Sequence, residues 1–211
     1  MLQLTNFSKS YRGRAVLRID SFAFASGTYW IQGANGSGKS TLLRAIAGIT
    51  PFEGDILLAG QLSVKKQSVA YRRLVNFAEA EPVFPEFLTG RELIDLFRTA
   101  KNGPPHQEDF YLEGLHMTAY VHEPVGTYSS GMLKKLSLVL AFLGQPTCIV
   151  LDEPLTTLDA AAIPVLCTWM ARQHAQQGTS FLLSSHQAFA AGALPAVQQL
   201  LIEHATLQHA G

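Results

Sequence analysis

Charge is scarce in this chain and cysteine scarcer. Only 15% of the 211 residues are Asp, Glu, Lys or Arg while 47% are apolar, which excludes the low-hydrophobicity, high-charge composition that keeps a chain disordered. The 16 basic and 16 acidic side chains cancel, so no overall positive potential draws the chain toward nucleic acid. The balance is uneven along the sequence: residues 1–102 carry 13 Lys and Arg against 8 Asp and Glu, and residues 103–211 carry 3 against 8. The pairs Lys65-Lys66 and Arg72-Arg73 are expected on a solvated face. Two cysteines, Cys148 and Cys167, fit neither a disulfide framework nor a zinc-ligand spacing and are expected as buried thiols of a reducing compartment. Long apolar runs are missing too. The longest, residues 136–144, is about half of what a bilayer span requires, and the opening Met-Leu-Gln-Leu-Thr-Asn-Phe lacks the basic and apolar parts of a secretory leader, which makes the cytoplasm the expected compartment. The length fits one large or two small domains of about 100 to 200 residues. A domain of this size removes about 70% of its unfolded surface from water, enough to fold without disulfides or a structural metal.

The pattern that is present starts with strands. Residues 2–7 and 16–24 alternate apolar and polar side chains, as half-buried strands do. The short strand Thr28-Tyr-Trp-Ile-Gln32 runs into the glycine-rich stretch of residues 33–40, and helical apolar spacing follows from Thr41. Residues 54–78 read as further short strands punctuated by Gly54 and Gly60, ending in a buried strand candidate at 74–78. Thr89-Gly-Arg-Glu92 has capping-box spacing and predicts a helix over about 90–101. Asn102-Gly-Pro-Pro is a break, with one or two short helices over 106–122. A long apolar helix from Leu133 must stop near Gln145-Pro146. Residues 147–152 form the nearly unbroken aliphatic run of a strand buried on both faces of a parallel sheet. A helix over 160–177 capped by Gly178 and a second buried strand at 181–186 complete the pattern.

Chemistry concentrates at three places. Gly33-x-x-x-x-Gly38-Lys39-Ser40 is a complete phosphate-loop pattern in the context that gives it meaning, after a strand and opening a helix. Glycines at 33, 36 and 38 let the backbone turn left-handed and present successive N–H groups to a phosphate, and the helix N-terminus adds partial positive charge. Lys39 then reaches the β- and γ-phosphates, and the Ser40 hydroxyl is placed to ligate Mg²⁺. The strand ending in Asp152-Glu153 delivers two carboxylates to its C-terminal end, where open α/β sheets bind ligands. Asp152 can hold the metal's water shell, and Glu153 can orient or deprotonate an attacking water, making it the candidate general base. Tyr128-Ser-Ser-Gly-Met132 opens a helix with a corner whose N–H groups could bind anionic oxygen. The same residues also make an ordinary helix cap.

With these motifs in this order, the chain resembles the ATP-binding cassette family, specifically the nucleotide-binding subunits of ABC transporters in a short bacterial export-type form, and the resemblance runs over the whole sequence. It implies an α/β fold with a P-loop NTPase (RecA-like) core, an N-terminal antiparallel β-subdomain and an inserted helical subdomain: residues 1–88 and 145–211 as core, 89–144 as the helical part. By this resemblance residues 33–40 are the Walker A motif, which with Asn35, Ser37 and Thr41 holds ATP. Residues 148–153 are Walker B, and Ser129, Ser130 and Gly131 are the signature. Asp159 lies in the D-loop, His186 is the switch histidine and Tyr11 stacks on adenine. Two departures stand out. Where the family has a loop glutamine the chain has Ala80 between Glu79 and Glu81, and Glu81 or Glu79 is the candidate replacement at Mg²⁺. The signature has Ser130 and Met132 where the commonest form has glycine and glutamine.

The resemblance implies an ATP-hydrolysing subunit bound to ATP and Mg²⁺. Such a subunit works with a second nucleotide-binding subunit as homodimer or heterodimer, docks on an integral membrane permease and lies on the inner face of the cell membrane, with no direct nucleic acid partner. Val83, Phe84 and Phe87 suggest the docking cleft, although internal packing explains them as well. Two alternatives stay open: a soluble ABC ATPase acting on nucleic acid or ribosomes, and a weakly hydrolysing regulatory partner in a heterodimer, which the altered loop at Ala80 keeps in view.

Overall fold

The computed structural model describes residues 1–185 and 196–210. Along the chain, β1 (Leu2–Tyr11), β2 (Arg14–Phe24), β3 (Thr28–Gln32), α1 (Lys39–Ile46), β4 (Glu53–Leu58), β5 (Leu62–Ser63), α2 (Ser68–Leu74) and β6 (Val75–Ala78) come first. They are followed by α3 (Gly90–Ala100), α4 (Gln107–Gly114), a 3₁₀ turn at Val125–Thr127, α5 (Ser130–Phe142), β7 (Cys148–Asp152), α6 (Ala162–Gln177), β8 (Ser180–Ser184), β9 (Val197–Glu203) and β10 (Thr206–His209). Two sheets result: a four-stranded antiparallel sheet in the order β2-β1-β4-β5, and a six-stranded sheet in the order β10-β9-β3-β8-β7-β6. In the second, β9, β3, β8, β7 and β6 run parallel and β10 closes the edge antiparallel.

The continuous apolar sequence of β7 follows from the sheet's position between two cores. Because successive side chains on a strand alternate sides, Cys148 and Val150 enter one apolar cluster and Ile149 and Leu151 the other. On β8, Leu182 takes the first side and Phe181 and Leu183 the second. The first cluster, with Leu42, Leu43 and Ile46 of α1, fills the space between the six-stranded sheet and the antiparallel sheet. The second lies under α3, α5 and α6, where Trp169 meets the rings of Tyr111 and Phe142 edge-on at 4.8 and 5.4 Å. Both cysteines are buried, and desolvation pushes the Cys148 thiol up to about 12. Lys65, Lys66, Arg72 and Arg73 are exposed, as their pairing suggests.

The capping box is present in full. Thr89 accepts from the Glu92 amide at 3.1 Å, and Glu92 accepts from the Thr89 amide at 2.8 Å, starting α3 at the expected residue. Bonding to Thr89 holds the Glu92 carboxyl below its ordinary range. α5 stops at Phe142, earlier than Pro146 requires: Leu143 is already extended (ψ 151°), and Gly144 then turns left-handed (φ +83°). A correction concerns residues 68–74, expected within a run of short strands, where the chain forms α2. This helix has no side-chain cap and a single buried residue, Tyr71, whose hydroxyl donates to the Ile46 carbonyl at 2.8 Å. A tertiary anchor, not a local pattern, decides its conformation. Among the described residues no helix is long and apolar enough to cross a membrane.

Candidate functional site

β3, β7 and β8 lie side by side in the six-stranded sheet and end at one edge, in register Ile31↔Ser184 and Asp152↔Ser184. Polar side chains at the ends of β7 and β8 therefore meet, with Ser40 of α1 beside them. Asp152 is fully buried, and its Oδ1 accepts from Ser40 at 3.1 Å and from Ser184 at 2.7 Å. Its Oδ2 is buried with no hydrogen-bond partner among the described residues. The Ser184 hydroxyl also accepts the Glu153 amide at 3.0 Å. Glu153 itself takes φ +46°, a left-handed conformation uncommon for a residue with a Cβ.

The loop between β3 and α1 encloses the space above. Any side chain at Gly33 or Gly38 would be strained there. Both have positive φ, +152° and +108°, and a Cβ would stand 2.8 Å from the Ile202 carbonyl oxygen at the first and 2.9 Å from the Leu17 side chain at the second. Lys39 is buried beside the loop and donates to the carbonyls of Gly33 and Ala34 at 2.8 and 3.1 Å. A cavity of about 360 Å³ is lined by Tyr11, Val16, Asn35, Gly36, Gly38, Lys39, Ser40, Thr41 and Glu153. Ser37 does not line it; its amide donates to the Ala34 carbonyl and tightens the turn. Tyr11, 48% exposed, reaches the cavity rim with the Lys9 ammonium 4.6 Å from its ring centroid.

The Ser129-Ser130-Gly131 corner is not part of this cavity. Ser129 and Ser130 are exposed, and the Ser129 side chain caps α5 by accepting from the Met132 amide at 3.3 Å, so the cap expected of these residues is realised. The corner leans on residues 157–159: a Cβ on Gly131 would lie 3.0 Å from the Thr157 carbonyl, and Lys135 pairs with Asp159 at 2.6 Å. That bond, with the Ala162 amide at 2.8 Å, lowers the Asp159 carboxyl below its usual range, so Asp159 also acts as a helix cap. Neither loop carboxylate reaches the cavity. Glu79 pairs with Arg44 at 3.6 Å, and Glu81 is exposed outside the cavity lining. His186 lies outside the described residues.

Residues 18–156 match the family described as ABC transporter. The chain belongs to the ABC transporter family. Among curated relatives it is 31% identical over 189 residues to the uncharacterized ABC transporter ATP-binding protein YhcH of Bacillus subtilis, covering 88% of this chain. The chain spans 62% of that relative's length. It is 30% identical over 190 residues to the cytochrome c biogenesis ATP-binding export protein CcmA of Haemophilus influenzae, covering 88% of this chain and 89% of that one. A solved ATP-binding subunit of an ABC transporter superposes with a TM-score of 0.88 at 25% identity, over 100% of this chain and 89% of the other. The chain thus has the P-loop NTPase fold of the ABC ATPases, with an antiparallel sheet beside the parallel one.

Two polar residues bonded to Asp152 belong to no motif of the sequence. Ser184 left a trace, a serine closing an aliphatic strand in register with Asp152. Lys134 left none, since a lysine on a helix ordinarily extends into water, yet here it is 0% exposed and its ammonium donates to the carbonyls of Glu79, Ala80 and Asp152 at 2.8, 3.0 and 3.2 Å. Burial pulls its pKa down to about 8, opposed by Asp152, Glu153 and Glu81.

Proposed function

We propose that this chain is the ATP-binding and ATP-hydrolysing subunit of a membrane transporter. The observation that carries the reading is the meeting of Lys39, Ser40 and Glu153 around one cavity at the C-terminal edge of the sheet, with the buried Asp152 accepting from Ser40 behind the cavity wall. The Walker A amides and the N-terminus of α1 hold the triphosphate. Lys39 exchanges its two loop carbonyls for phosphate oxygens, which as charged acceptors make stronger bonds. Tyr11 stacks on the adenine at the rim, Asn35 and Thr41 complete the cradle, and Ser37 tightens the turn behind it. His186 takes a γ-phosphate contact.

The donor set fits Mg²⁺. Asp152 presents a buried carboxylate oxygen with no hydrogen-bond partner among the described residues and Ser40 a hydroxyl beside it. No group of three or more His, Cys, Asp or Glu exists among the described residues to cage a metal without substrate. Such a sparse set suits a cation that takes its remaining ligands from water and phosphate. Bound there by Ser40 and Asp152, it supplies neutralisation of the charge on the phosphate oxygens. Glu153, on the cavity wall, accepts the proton of the attacking water.

A single chain has one Walker A loop and one signature, and the signature does not line its own cavity. Ser129, Ser130 and Gly131 therefore close the ATP site of a second nucleotide-binding subunit, with Asp159 at the seam and residues 89–144 moving as a helical subdomain. ATP binding favours the closed dimer because the γ-phosphate touches both chains, and hydrolysis removes that link. A permease docks on the groove of about 250 Å³ lined by Ile49, Phe77, Val83, Phe84, Phe97 and Lys101, which places the subunit on the inner face of the membrane. Phe84 packs inward, whereas Val83 and Phe87 are 87% and 81% exposed and free for a partner.

Steady-state ATPase of the purified chain tests the reading. The wild type is expected to release phosphate from Mg-ATP, and Lys39→Ala to lose transition-state stabilisation of about 3 kcal/mol, the worth of comparable donors. No ATP binding and no turnover by the wild type would refute it.

A further inference from the structure

The peptide unit that joins Asp152 to Glu153 is held at both of its polar atoms. Its carbonyl oxygen accepts the Lys134 ammonium at 3.2 Å, and its N–H donates to the Ser184 hydroxyl at 3.0 Å. Glu153 leaves this plane in a left-handed conformation, φ +46°, which needs its surroundings to maintain it. Lys134 also binds the carbonyls of Glu79 and Ala80, in the loop after β6 where the family's glutamine is absent. β6 and β7 are neighbours in register Ala78↔Leu151, so one ammonium fastens the ends of both strands. Its backbone lies one turn below Ser130, at the start of α5. Burying an ammonium is costly even with the carboxylates of Asp152, Glu153 and Glu81 nearby, and an apolar side chain of similar volume at such a place is often as stable or more so. Stability alone does not account for the lysine.

We propose that Lys134 is a positioning residue for Glu153, setting the direction of the base through the 152–153 peptide and tying it to the helix that carries the signature corner. The proposal rests on the reading of the chain as an ATPase. In a closed dimer, the ATP gripped by this chain's corner belongs to the other site, so Lys134 makes each base sense the occupancy of the opposite site. The absent loop glutamine is thereby bypassed: the loop is joined to α5 through its own carbonyls.

The test compares Lys134→Met, Lys134→Gln and wild type for kcat, KM and affinity for a nonhydrolysable ATP analogue, and adds Lys134→Met to Glu153→Gln. Expected is a kcat lower by on the order of 10²-fold in the Met variant, the usual effect of a small misplacement of a reacting group. Analogue affinity should stay near wild type, and the Gln variant, which keeps a donor, should lose less. In the Glu153→Gln background Lys134→Met should cost nothing further, because the lysine acts through the base. Wild-type kcat in either variant, or the same fold loss with and without Glu153, overturns the proposal. Should the Met variant fail to fold, the Gln variant decides on the same two readouts. A wild type that binds no ATP defeats the functional reading instead, an outcome visible before any variant is made.

Discussion

At the residue scale, environment rather than residue type sets chemical behaviour, and the two clearest cases are a thiol and an ammonium. Cys148 opens β7 between two apolar layers, and burial raises its pKa to about 12. A thiol with so little thiolate and no access is a poor nucleophile. The native protein at pH 8 is therefore expected to leave Cys148 unmodified by a maleimide over hours, with reaction following only on unfolding, and peptide mass mapping reads the outcome. Rapid labelling of Cys148 in the native state would contradict the burial. The Walker A residues and Asp152-Glu153 were legible in the sequence because their chemistry depends on near neighbours: glycines that must turn, and a carboxylate that must follow a strand. Lys134 was illegible for the opposite reason. Its three acceptors lie 54, 55 and 18 residues away along the chain, and no local spacing predicts that meeting.

Among the elements, those that carry their own start and stop signals stand where the sequence puts them. α3 begins at Gly90 behind the Thr89 and Glu92 box, and α6 ends at Gly178, which takes φ +68°. Replacing Thr89 by Ala should cost about 1 kcal/mol of unfolding free energy at neutral pH, measured by urea titration. The pH dependence follows from the lowered Glu92 pKa. A depressed carboxyl stabilises the fold fully above its unfolded pKa and ceases to do so as pH falls through its folded value. The difference between Thr89→Ala and wild type should thus shrink on acidification below about pH 4.3, and a difference that grows would contradict the box. α2 shows where such signals fail. Its seven residues lack a cap, and the contact that fixes it, Tyr71 to Ile46, spans 25 positions. α5 ends early for a related reason: Pro146 marks the latest possible stop, and the extended Leu143, followed by the left-handed turn at Gly144, supplies the actual one.

At the scale of the whole molecule, the sheet gathers Asp152, Glu153 and the phosphate loop at one edge and leaves the Ser129-Ser130-Gly131 corner exposed at the start of α5. That separation is the physical ground for the proposed action of two chains together: an exposed corner cannot serve a cavity it does not line. The central claim is that ATP closes two such chains upon each other and that Glu153 releases them by hydrolysis. Its most direct test is the mass in solution of Glu153→Gln, by light scattering with and without Mg-ATP. Turnover in this variant should fall by on the order of 10² to 10⁴-fold, so ATP stays in place. The account predicts a shift from monomer to dimer on adding ATP, abolished by a further Ser129→Arg. A variant that binds ATP yet stays monomeric at every concentration, or one that hydrolyses at the wild-type rate, would contradict it.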